Sequence, residues 1–459
     1  MTMNAIMRAL PLGALALGLS PCDPAAGQGM DLSSEMKRDL PALLAIYRKL
    51  HGAPELSFRE HGTAALLATS MRELGFAVTP GVGRTGVVAV LRNGPGPTIL
   101  LRTDMDALPV TERTGLPFAS NATVRLASGA TSGVMHACGH DTHMAAWLGA
   151  ARLLAVRRRD WLGTLVMIAQ PAEETDDGAK AMLRDGLFKR FPRPDYAIAI
   201  HNSATLPAGQ VGYAPGYAMA AVDSVDLTVR GIGGHGASPQ STRDPIVLAS
   251  RIVTTLQTLV SRELDPQDAA VVTVGSIQGG TQHNIIPPEV KLQLTVRSFA
   301  EATRMRLLDG IRRVARGEAI AAGVPEDLMP VVHVSGDHLE AVFNDEQVTG
   351  RLVTRLGREL GEDRVARSPP VMGGEDFAQY RLADPARIRS VLFWIGGVPR
   401  PQWEKAKGDL SRLPSLHSPF WAPDAEAVIG TGAQVLAFAA LELMERTDTV
   451  PRGTSRRQP

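Results

Sequence analysis

The chain has 459 residues, of which 44% are hydrophobic, and its 48 Lys and Arg residues nearly balance 47 Asp and Glu residues. This length predicts two domains or one domain with a large insertion, and a net charge of +1 excludes the usual electrostatic basis for nucleic-acid binding. The evenly spread hydrophobicity excludes a disordered chain and a multispanning membrane protein, and two cysteines exclude a disulfide framework.

Residues 1–29 have the layout of a secretory signal peptide. Arg8 precedes the apolar run Ala9–Leu19, which is too short to span a membrane as a mature helix. Small residues follow, and they predict cleavage near Ala26. We therefore expect export to the periplasm or the exterior. The alternative is a leader that precedes a true start at Met30.

The first predicted element of the mature chain is a helix over Ser33–Leu50, where apolar residues recur at the spacing of one helical face. Short, nearly continuous apolar runs follow, and helical patterns such as His143–Val156 separate some of them. This alternation predicts an α/β domain whose sheet is buried on both faces. The predicted strands are Gly86–Leu91, Thr98–Leu101, Leu165–Ala169 and Ala197–Ile200.

The pattern changes between residues 217 and 338, where the order β-α-β-β-α-β predicts a small ferredoxin-like sandwich. Its elements are Val225–Val229, Pro245–Leu264, Ala270–Ser276, Val290–Ser298, Ala300–Ala321 and Pro330–Val334. We therefore predict an α/β catalytic domain with a mixed sheet, formed by residues 30–216 and 339–446, with an inserted ferredoxin-like α+β lid domain over 217–338. The catalytic domain closes with an apolar helix at Glu426–Met444, and residues 447–459 are expected to form a disordered tail.

Three of the predicted strands end in carboxylates or histidine. The residues concerned are Asp104 and Asp106 after the second strand, Glu173 and Glu174 after the third, and His201 after the fourth. Open α/β sheets bind ligands outside the carboxyl ends of their strands, and buried carboxylates are costly unless they are paired or bind metal. The sequence therefore predicts a functional site at this edge of the sheet.

The segment Met135–His143, MHACGHDTH, combines thiolate, imidazole and carboxylate groups, which form a metal-ligand set. Considered alone, so short a motif favours a turn with a buried cysteine and no zinc. A Cys₄ zinc site is excluded, because the other cysteine lies in the predicted leader. With Glu174 and His201 available from strand ends, the mixed ligand types favour a catalytic metal site.

Glu173 and Glu174 are adjacent carboxylates. Neighbouring side chains on an extended segment point in different directions, so one can bind metal while the other faces a substrate. That division suits metal-assisted hydrolysis. A solvated acidic turn is the alternative, since Asp176 and Asp177 follow closely.

Seven short motifs occur in a characteristic order and spacing: MHACGHDTH, QPAEE, AIHN, GIGGHGASP, GGTQHNIIP, GGEDF and LHSP. Together they resemble the aminoacylase/carboxypeptidase family of dinuclear zinc metallohydrolases, in particular its amidohydrolase branch of hippurate hydrolases and plant auxin-conjugate hydrolases. The resemblance covers Leu32–Met444, nearly the whole predicted mature chain. It implies a metal-dependent hydrolase of amide bonds.

The resemblance implies two divalent metal ions held by one set of ligands: Cys138 as the bridge, His140 and His201 on one ion, and Glu174 and His417 on the other. Glu173 would be the general base that takes a proton from the attacking water and passes it to the leaving amine. Asp106 would lie outside the ligand set and orient the metal ligands.

One departure from other branches of the family concerns the metal. Those branches place a ligand histidine before the aspartate, where this chain has Thr103-Asp104-Met105-Asp106, so His140 is expected to substitute. A bridging cysteine is softer than a bridging aspartate, which favours Zn²⁺ over magnesium, with Mn²⁺ or Co²⁺ as alternatives.

The resemblance also assigns roles to the lid. His235 would stabilise the oxyanion, often from the partner subunit of a homodimer formed through the lid; a turn histidine is the alternative. Asn284 and Arg297 would hold the terminal carboxylate of the substrate, which an arginine can bind through two parallel hydrogen bonds. An exposed strand arginine is the alternative for Arg297. Gly374 in GGEDF would shape the pocket, or otherwise belong to a turn.

We therefore predict hydrolysis of N-acyl amino acids or similar conjugates by a water that two metal ions activate and that Glu173 deprotonates. An exopeptidase, either a carboxypeptidase or a dipeptidase, could use the same site on a short peptide. An inactive exported protein that binds metal or ligand is a further alternative. The presence of Glu173 beside Glu174 argues against it.

Overall fold

The computed structural model describes residues 31–445, so the predicted signal peptide (1–29) and the predicted tail (447–459) lie outside the described residues. The helices are α1 (Leu32–His51), α2 (His61–Glu73), α3 (His140–Val156), α4 (Gly178–Arg184), α5 (Leu187–Arg190), α6 (Pro245–Thr258), α7 (Glu301–Ala321), α8 (Glu346–Leu360), α9 (Ala378–Leu382), α10 (Arg400–Ala406) and α11 (Ala425–Met444). The strands are β1 (Ala77–Val82), β2 (Gly86–Asn93), β3 (Thr98–Asp104), β4 (Thr123–Arg125), β5 (Thr131–Gly133), β6 (Gly163–Gln170), β7 (Tyr196–Pro207), β8 (Val211–Tyr213), β9 (Gly216–Met219), β10 (Ala221–Arg230), β11 (Gly234–His235), β12 (Ala270–Gly279), β13 (Ile285–Ile286), β14 (Glu289–Ser298), β15 (Val331–Val334), β16 (Val342–Asn344), β17 (Val365–Arg367) and β18 (Arg389–Val398).

The catalytic domain is built on an eight-stranded sheet with the order β1-β2-β6-β3-β7-β18-β8-β17. The central strands β6, β3, β7 and β18 are parallel, whereas β1 and β2 are antiparallel to their neighbours. Alternate side chains of β6 belong to different cores: Leu165 packs with α1, α3 and α11, and Val166 packs with α4 and α9. The sheet is therefore mixed and buried on both faces, as the continuous apolar runs predicted.

The apolar helix α11 is a core helix of this domain. Among residues 31–445 it is the one helix long and apolar enough to cross a membrane, yet most of its surface is buried inside the protein. It packs against α1 and α3. Its first turn is capped by Asp424, whose side chain accepts a hydrogen bond from Ala427 N.

The lid is a separate sandwich with its own hydrophobic core. Its four-stranded sheet has the order β12-β14-β10-β15, and every strand pair is antiparallel. Helices α6 and α7 pack on the sheet face formed by alternate residues such as Val225, Leu227 and Val229. The fold class is thus confirmed: an α/β catalytic domain interrupted by a ferredoxin-like lid, whose sheet extends from Ala221 to Val334.

Three of the differences between the structure and the predicted elements concern the site or the lid. β7 continues to Pro207 through its pairing with β18, so His201 lies inside a strand and not after its end, as the apolar pattern had suggested. The predicted helix over Pro245–Leu264 is α-helical only to Thr258 and ends in a π-type turn. The predicted loop between β12 and β14 contains β13, which pairs with β11.

Candidate active site

Neighbouring parallel strands bring the predicted site residues to one region. β3 lies between β6 and β7 and runs parallel to both. Asp106 follows β3, Glu173 follows β6, and His201 lies in the middle of β7. Cys138 and His140 join them at the start of α3. Residues far apart in the sequence thus meet beyond the carboxyl ends of parallel strands.

The five predicted metal ligands form two overlapping clusters. One contains Cys138, His140 and His201, and the other contains Cys138, Glu174 and His417; the candidate ligand atoms within each lie within 4.8 Å of one another. Cys138 Sγ lies 3.5 Å from His201 Nε2, and His417 Nε2 lies 3.4 Å from Glu174 Oε2. Cys138 is common to both clusters, which is the position that a bridging ligand requires.

Unpartnered polar atoms show that the clusters suit divalent cations. His140 Nε2 and Glu174 Oε1 are buried without a hydrogen-bond partner, and they lie 3.9 Å apart. Buried polar atoms without partners are rare and destabilising. A thiolate, imidazole and carboxylate set with free ligand atoms is the donor chemistry that zinc and related cations prefer.

Backbone carbonyls fix which histidine nitrogen is free to bind metal. His140 Nδ1 lies 2.8 Å from the carbonyl oxygen of Asp106, and His201 Nδ1 lies 2.7 Å from that of Asn202. A carbonyl can only accept, so Nδ1 carries the proton in both rings. The Nε2 atoms, which face the clusters, are therefore the lone-pair donors.

Asp106 organises the turn that carries the two glutamates. Glu173–Thr175 form a short 3₁₀ turn, and its main-chain N–H groups at Glu173 and Glu174 donate to the Asp106 carboxylate at 3.1 and 3.0 Å. The Ser57 hydroxyl donates to the same carboxylate at 2.6 Å. Asp106 thus holds the main chain of the turn, which leaves both glutamate side chains free.

The electrostatics of the turn favour proton transfer and cation binding. Burial raises the pKa of Glu173 well above its ordinary value, and the carboxylates of Glu375 and Glu174 raise it further. Burial likewise raises the pKa of Glu174 to about 7. A nearby cation lowers the pKa of a carboxyl group, so this excess of acidic groups would be stabilised by bound metal.

A buried polar network beneath the turn was missed in the sequence. The Arg102 guanidinium is fully buried and contacts Asp104 at 2.6 Å, Glu375 at 2.7 Å and Asp376 at 3.2 Å. The carboxylates of Glu375 and Asp376 lie within 4.8 Å of that of Glu173. The available signal was an arginine near the end of an otherwise apolar strand, but two of its three carboxylate partners, Glu375 and Asp376, lie some 270 residues away in the chain.

His143, the last residue of the MHACGHDTH motif, is buried beside the predicted ligands. Its Nδ1 lies 2.7 Å from Asp104 Oδ1, and its Nε2 accepts a hydrogen bond from Asn202 N at 2.8 Å. Burial lowers the pKa of His143 to about 4, so the ring is neutral. Its role is to join the end of β3 to β7 next to His201.

A cavity of about 640 Å³ opens onto the predicted metal ligands. Glu173, Glu174 and Asp176 line one part of it, and Arg297 reaches it from the lid. Apolar side chains form much of the remaining wall: Ala204, Met219, Val222, Val371, Trp394, Leu410, Leu413 and Leu416. The cavity can thus hold a small molecule that combines an apolar part with a negatively charged group.

The structure brings Arg297 and Gly374 to this cavity, but not His235 and Asn284. Arg297 Nη1 donates to the carbonyl oxygen of Met372 at 2.7 Å, and an added Cβ at Gly374 would lie 2.6 Å from Leu339. His235 and Asn284 are exposed side by side at the β11–β13 ribbon of the lid, outside the cavity lining.

The family model for "Peptidase family M20/M25/M40" matches residues 100–413. The chain therefore belongs to this family, and the expectation of a hydrolase acting on amide bonds is confirmed at that level. The resemblance seen in the sequence motifs is confirmed by the same finding.

Individual relatives agree with this assignment. Thermostable carboxypeptidase 2 of Saccharolobus solfataricus is 36% identical over 382 residues, which cover 80% of this chain and 90% of the relative. Hippurate hydrolase of Campylobacter jejuni is 36% identical over 353 residues, covering 76% and 85%. The solved Bacillus subtilis YXEP protein, described as a dinuclear metal binding peptidase of the M20 family, has 31% identity and a TM-score of 0.72, covering 89% and 99%.

Proposed function

We propose that the protein hydrolyses the amide bond of N-acyl amino acids or similar amino-acid conjugates. The observation that carries this proposal is the division of labour at the Glu173–Glu174 turn. Both carboxylates line the cavity, but Glu174 forms a candidate ligand cluster with Cys138 and His417, whereas Glu173 belongs to neither of the two clusters that contain Cys138. A base next to a metal-ligand set is the arrangement that metal-assisted hydrolysis requires.

Each predicted site residue has a defined task in this reaction. Cys138, His140, His201, Glu174 and His417 would hold two divalent cations, for which zinc suits the ligand set best. When bound, these ions would supply Lewis acidity toward the scissile carbonyl and toward water. Glu173 accepts a proton from the attacking water at its carboxylate and delivers it to the nitrogen of the departing amine. Its raised pKa supports this role, because the carboxyl group can keep the proton between the two steps.

The substrate would be oriented by the lid and the apolar cavity wall. Arg297 offers a guanidinium to the terminal carboxylate, and side chains such as Leu413 and Val371 suit an apolar acyl group.

His235 and Asn284 lie outside the cavity of their own chain, so their proposed contacts with substrate require a second subunit. We therefore propose a homodimer that forms through the lid.

The deciding experiment compares the metal-loaded protein with a Glu173→Gln variant. The variant should keep its metal content but lose about 10²–10⁴-fold in turnover of N-acetyl and N-benzoyl amino acids, because it lacks the base. Glu404→Gln, at an exposed residue outside the cavity, is the matched control and should keep full activity. Full turnover by a metal-replete Glu173→Gln protein would contradict the mechanism.

A second use of the same site is exopeptidase activity, which the similarity to a named carboxypeptidase favours. Assaying dipeptides beside N-acetyl and N-benzoyl amino acids separates the two functions. A kcat/KM that is higher on dipeptides would assign the protein to the exopeptidases. The absence of turnover on every amide, with metals bound, would favour a binding protein.

A further inference from the structure

Asp176 is a third carboxylate in the cavity, besides Glu173 and Glu174. Its half-buried side chain makes no hydrogen bond or ion pair within residues 31–445. Glu173 and Glu174 both have tasks in the reaction proposed above, whereas Asp176 has none. Asp176 is therefore a carboxylate that lines the cavity and has no assigned task.

The position of this charge is fixed by the main chain. Asp176 ends the turn that carries both glutamates, and its N–H donates to the carbonyl oxygen of Glu173 at 2.8 Å. Its φ of 58° lies in the left-handed region, which few residues other than glycine, asparagine and aspartate adopt readily. The main chain of Asp176 is thus held at a defined place next to the base, and its side chain lines the cavity.

Two cations act on Asp176 electrostatically, but neither forms an ion pair with it. Lys180 Nζ donates to the carbonyl oxygen of His338 at 3.0 Å. Arg297 donates to the carbonyl oxygen of Met372 at 2.7 Å. Both cations are thus held by main-chain oxygens, and the Asp176 carboxylate stays open to a ligand.

We propose that Asp176 is a specificity-determining residue that favours substrates whose departing amino acid carries a cationic side chain, such as lysine, ornithine or arginine. The proposal rests on the amide hydrolysis proposed above. Glu173 delivers its proton to the departing amine, and Asp176 belongs to the same turn. Arg297, which would bind the α-carboxylate of that amino acid, lines the same cavity as Asp176.

The charges of the cavity support this choice of substrate. A cationic side chain would pair with Asp176 while the α-carboxylate pairs with Arg297, so both charges of the departing amino acid would be matched. A neutral side chain of the same length gains nothing from Asp176. An acidic side chain would be repelled by it and by the neighbouring glutamates.

The test compares Nα-acetyl-L-lysine with Nα-acetyl-L-norleucine, which has the same four-carbon side chain without the terminal ammonium group. The metal-loaded wild-type protein should prefer the lysine derivative in kcat/KM. Asp176→Asn should lower this preference by about tenfold or more, because the variant loses a charge-assisted contact. Asparagine tolerates positive φ, so the turn is kept. Asp177→Asn is the matched control, since Asp177 does not line the cavity, and it should keep the wild-type ratio.

Three outcomes would overturn the proposal. One is an equal loss on both substrates, which would make Asp176 a support for the turn. Another is a wild-type protein that shows no preference for lysine. The third is a loss of kcat/KM confined to the dipeptide Ala-norleucine. The cationic group of this dipeptide is its α-ammonium, so this result would mean that Asp176 binds a cation on the acyl side of the amide bond.

A binding measurement separates this proposal from the proposed function. Calorimetric titration of the metal-loaded Glu173→Gln protein with the two acetylated amino acids reports the charge preference without turnover. Tighter binding of the lysine derivative, lost on adding Asp176→Asn, supports the proposal even if hydrolysis fails. Equal binding of both derivatives overturns it even if hydrolysis succeeds.

Discussion

At the scale of single residues, His51 shows how charge supports the site from outside the cavity. Its Nδ1 lies 2.7 Å from Asp141 Oδ2 and its Nε2 lies 3.0 Å from Glu112 Oε1. Burial opposes a charged ring, but the two carboxylates outweigh it and raise the pKa of His51 to about 9. The charged ring ties the end of α1 to the first turn of α3, which carries His140.

This arrangement predicts a pH dependence of stability. The folded-state pKa of His51 lies above its ordinary value of 6.5, so its contribution is complete below about pH 6.5 and is lost as the pH rises through about 9. The contribution is on the order of 3 kcal/mol. Chemical denaturation between pH 6 and 10 should therefore show a fall in unfolding free energy that His51→Gln largely removes.

The control for this experiment is His61→Gln, because His61 is exposed. It should keep the wild-type pH profile. An unchanged pH profile in His51→Gln would contradict the assignment of the effect to His51.

The contrast between the ligands and Arg102 shows what sequence reasoning can reach at this scale. Cys138, His140 and Glu174 stand in short motifs whose residue types alone suggest metal binding. Arg102 depends on Glu375 and Asp376, which the fold brings together from distant segments. Its partners could not be read from local pattern, because nothing near them in the chain indicates a buried positive charge.

At the scale of elements, the start of α3 depends on a close approach to β7. Gly139 precedes the helix with a φ of 81°, and an added Cβ would lie 2.4 Å from Asn202 Nδ2. Asn202 follows the ligand His201 and also contacts His143. The absence of a side chain at residue 139 therefore allows the ligands of α3 and of β7 to meet.

Gly139→Ala should consequently weaken metal binding. The clash displaces either Asn202 or the first turn of α3, and such changes next to metal ligands typically lower metal affinity about 10–100-fold. Competition with a chromophoric chelator measures the affinity. Gly115→Ala is the matched control, because Gly115 has a φ of 75° but no heavy atom within 4 Å of an added Cβ.

Both alanine variants should lose about 1 kcal/mol or more of stability from backbone strain alone. Only Gly139→Ala should lose metal affinity. Equal affinities in the two variants would show that the contact with Asn202 does not matter for the ligands.

Elements with a strong internal pattern were predictable, whereas extensions that depend on a neighbour were not. The helices α1 and α11 and the strand β14 match their predicted spans closely, since each has a clear period of its own. β7 continues beyond its apolar run because β18 lies beside it and completes its hydrogen bonds. Because β18 begins almost two hundred residues after β7, the sequence of β7 alone does not indicate this pairing.

At the scale of the whole molecule, the proposed dimer can be tested by mixing inactive subunits. If His235 acts in the active site of the partner subunit, each active site combines Glu173 from one chain with His235 from the other. His235→Ala and Glu173→Gln then remove groups that different chains supply to the same site. A mixed dimer then contains one site with an intact Glu173 and an intact His235 from the other chain.

Equal amounts of the two variants, unfolded and refolded together, should recover about a quarter of wild-type activity, because half of the dimers are mixed and one site in each is intact. Each variant refolded alone provides the baseline. Recovery no greater than the average of the two baselines would contradict a contribution from the partner subunit.

The two-domain organisation was predictable because the hydrophobic pattern changes where the lid begins and returns where it ends. The sequence motifs grouped Arg297, His235 and Asn284 in one site, but only Arg297 lines the cavity of its own chain, because this placement depends on how the lid sits on the catalytic domain. Export stays a prediction from residues 1–29. Determining the N-terminal residue of the native protein tests it.

The contacts of Asp106 also bear on how readily this site could acquire other chemistry. Asp106 accepts hydrogen bonds from the main-chain N–H groups of residues 173 and 174, so these two contacts do not depend on which side chains stand there. Protein engineers could therefore exchange the base or the ligand and expect the same loop shape. Main-chain atoms of this short segment make the contacts with Asp106, whereas its side chains supply the reactive groups. The turn is therefore a suitable starting point for redesign.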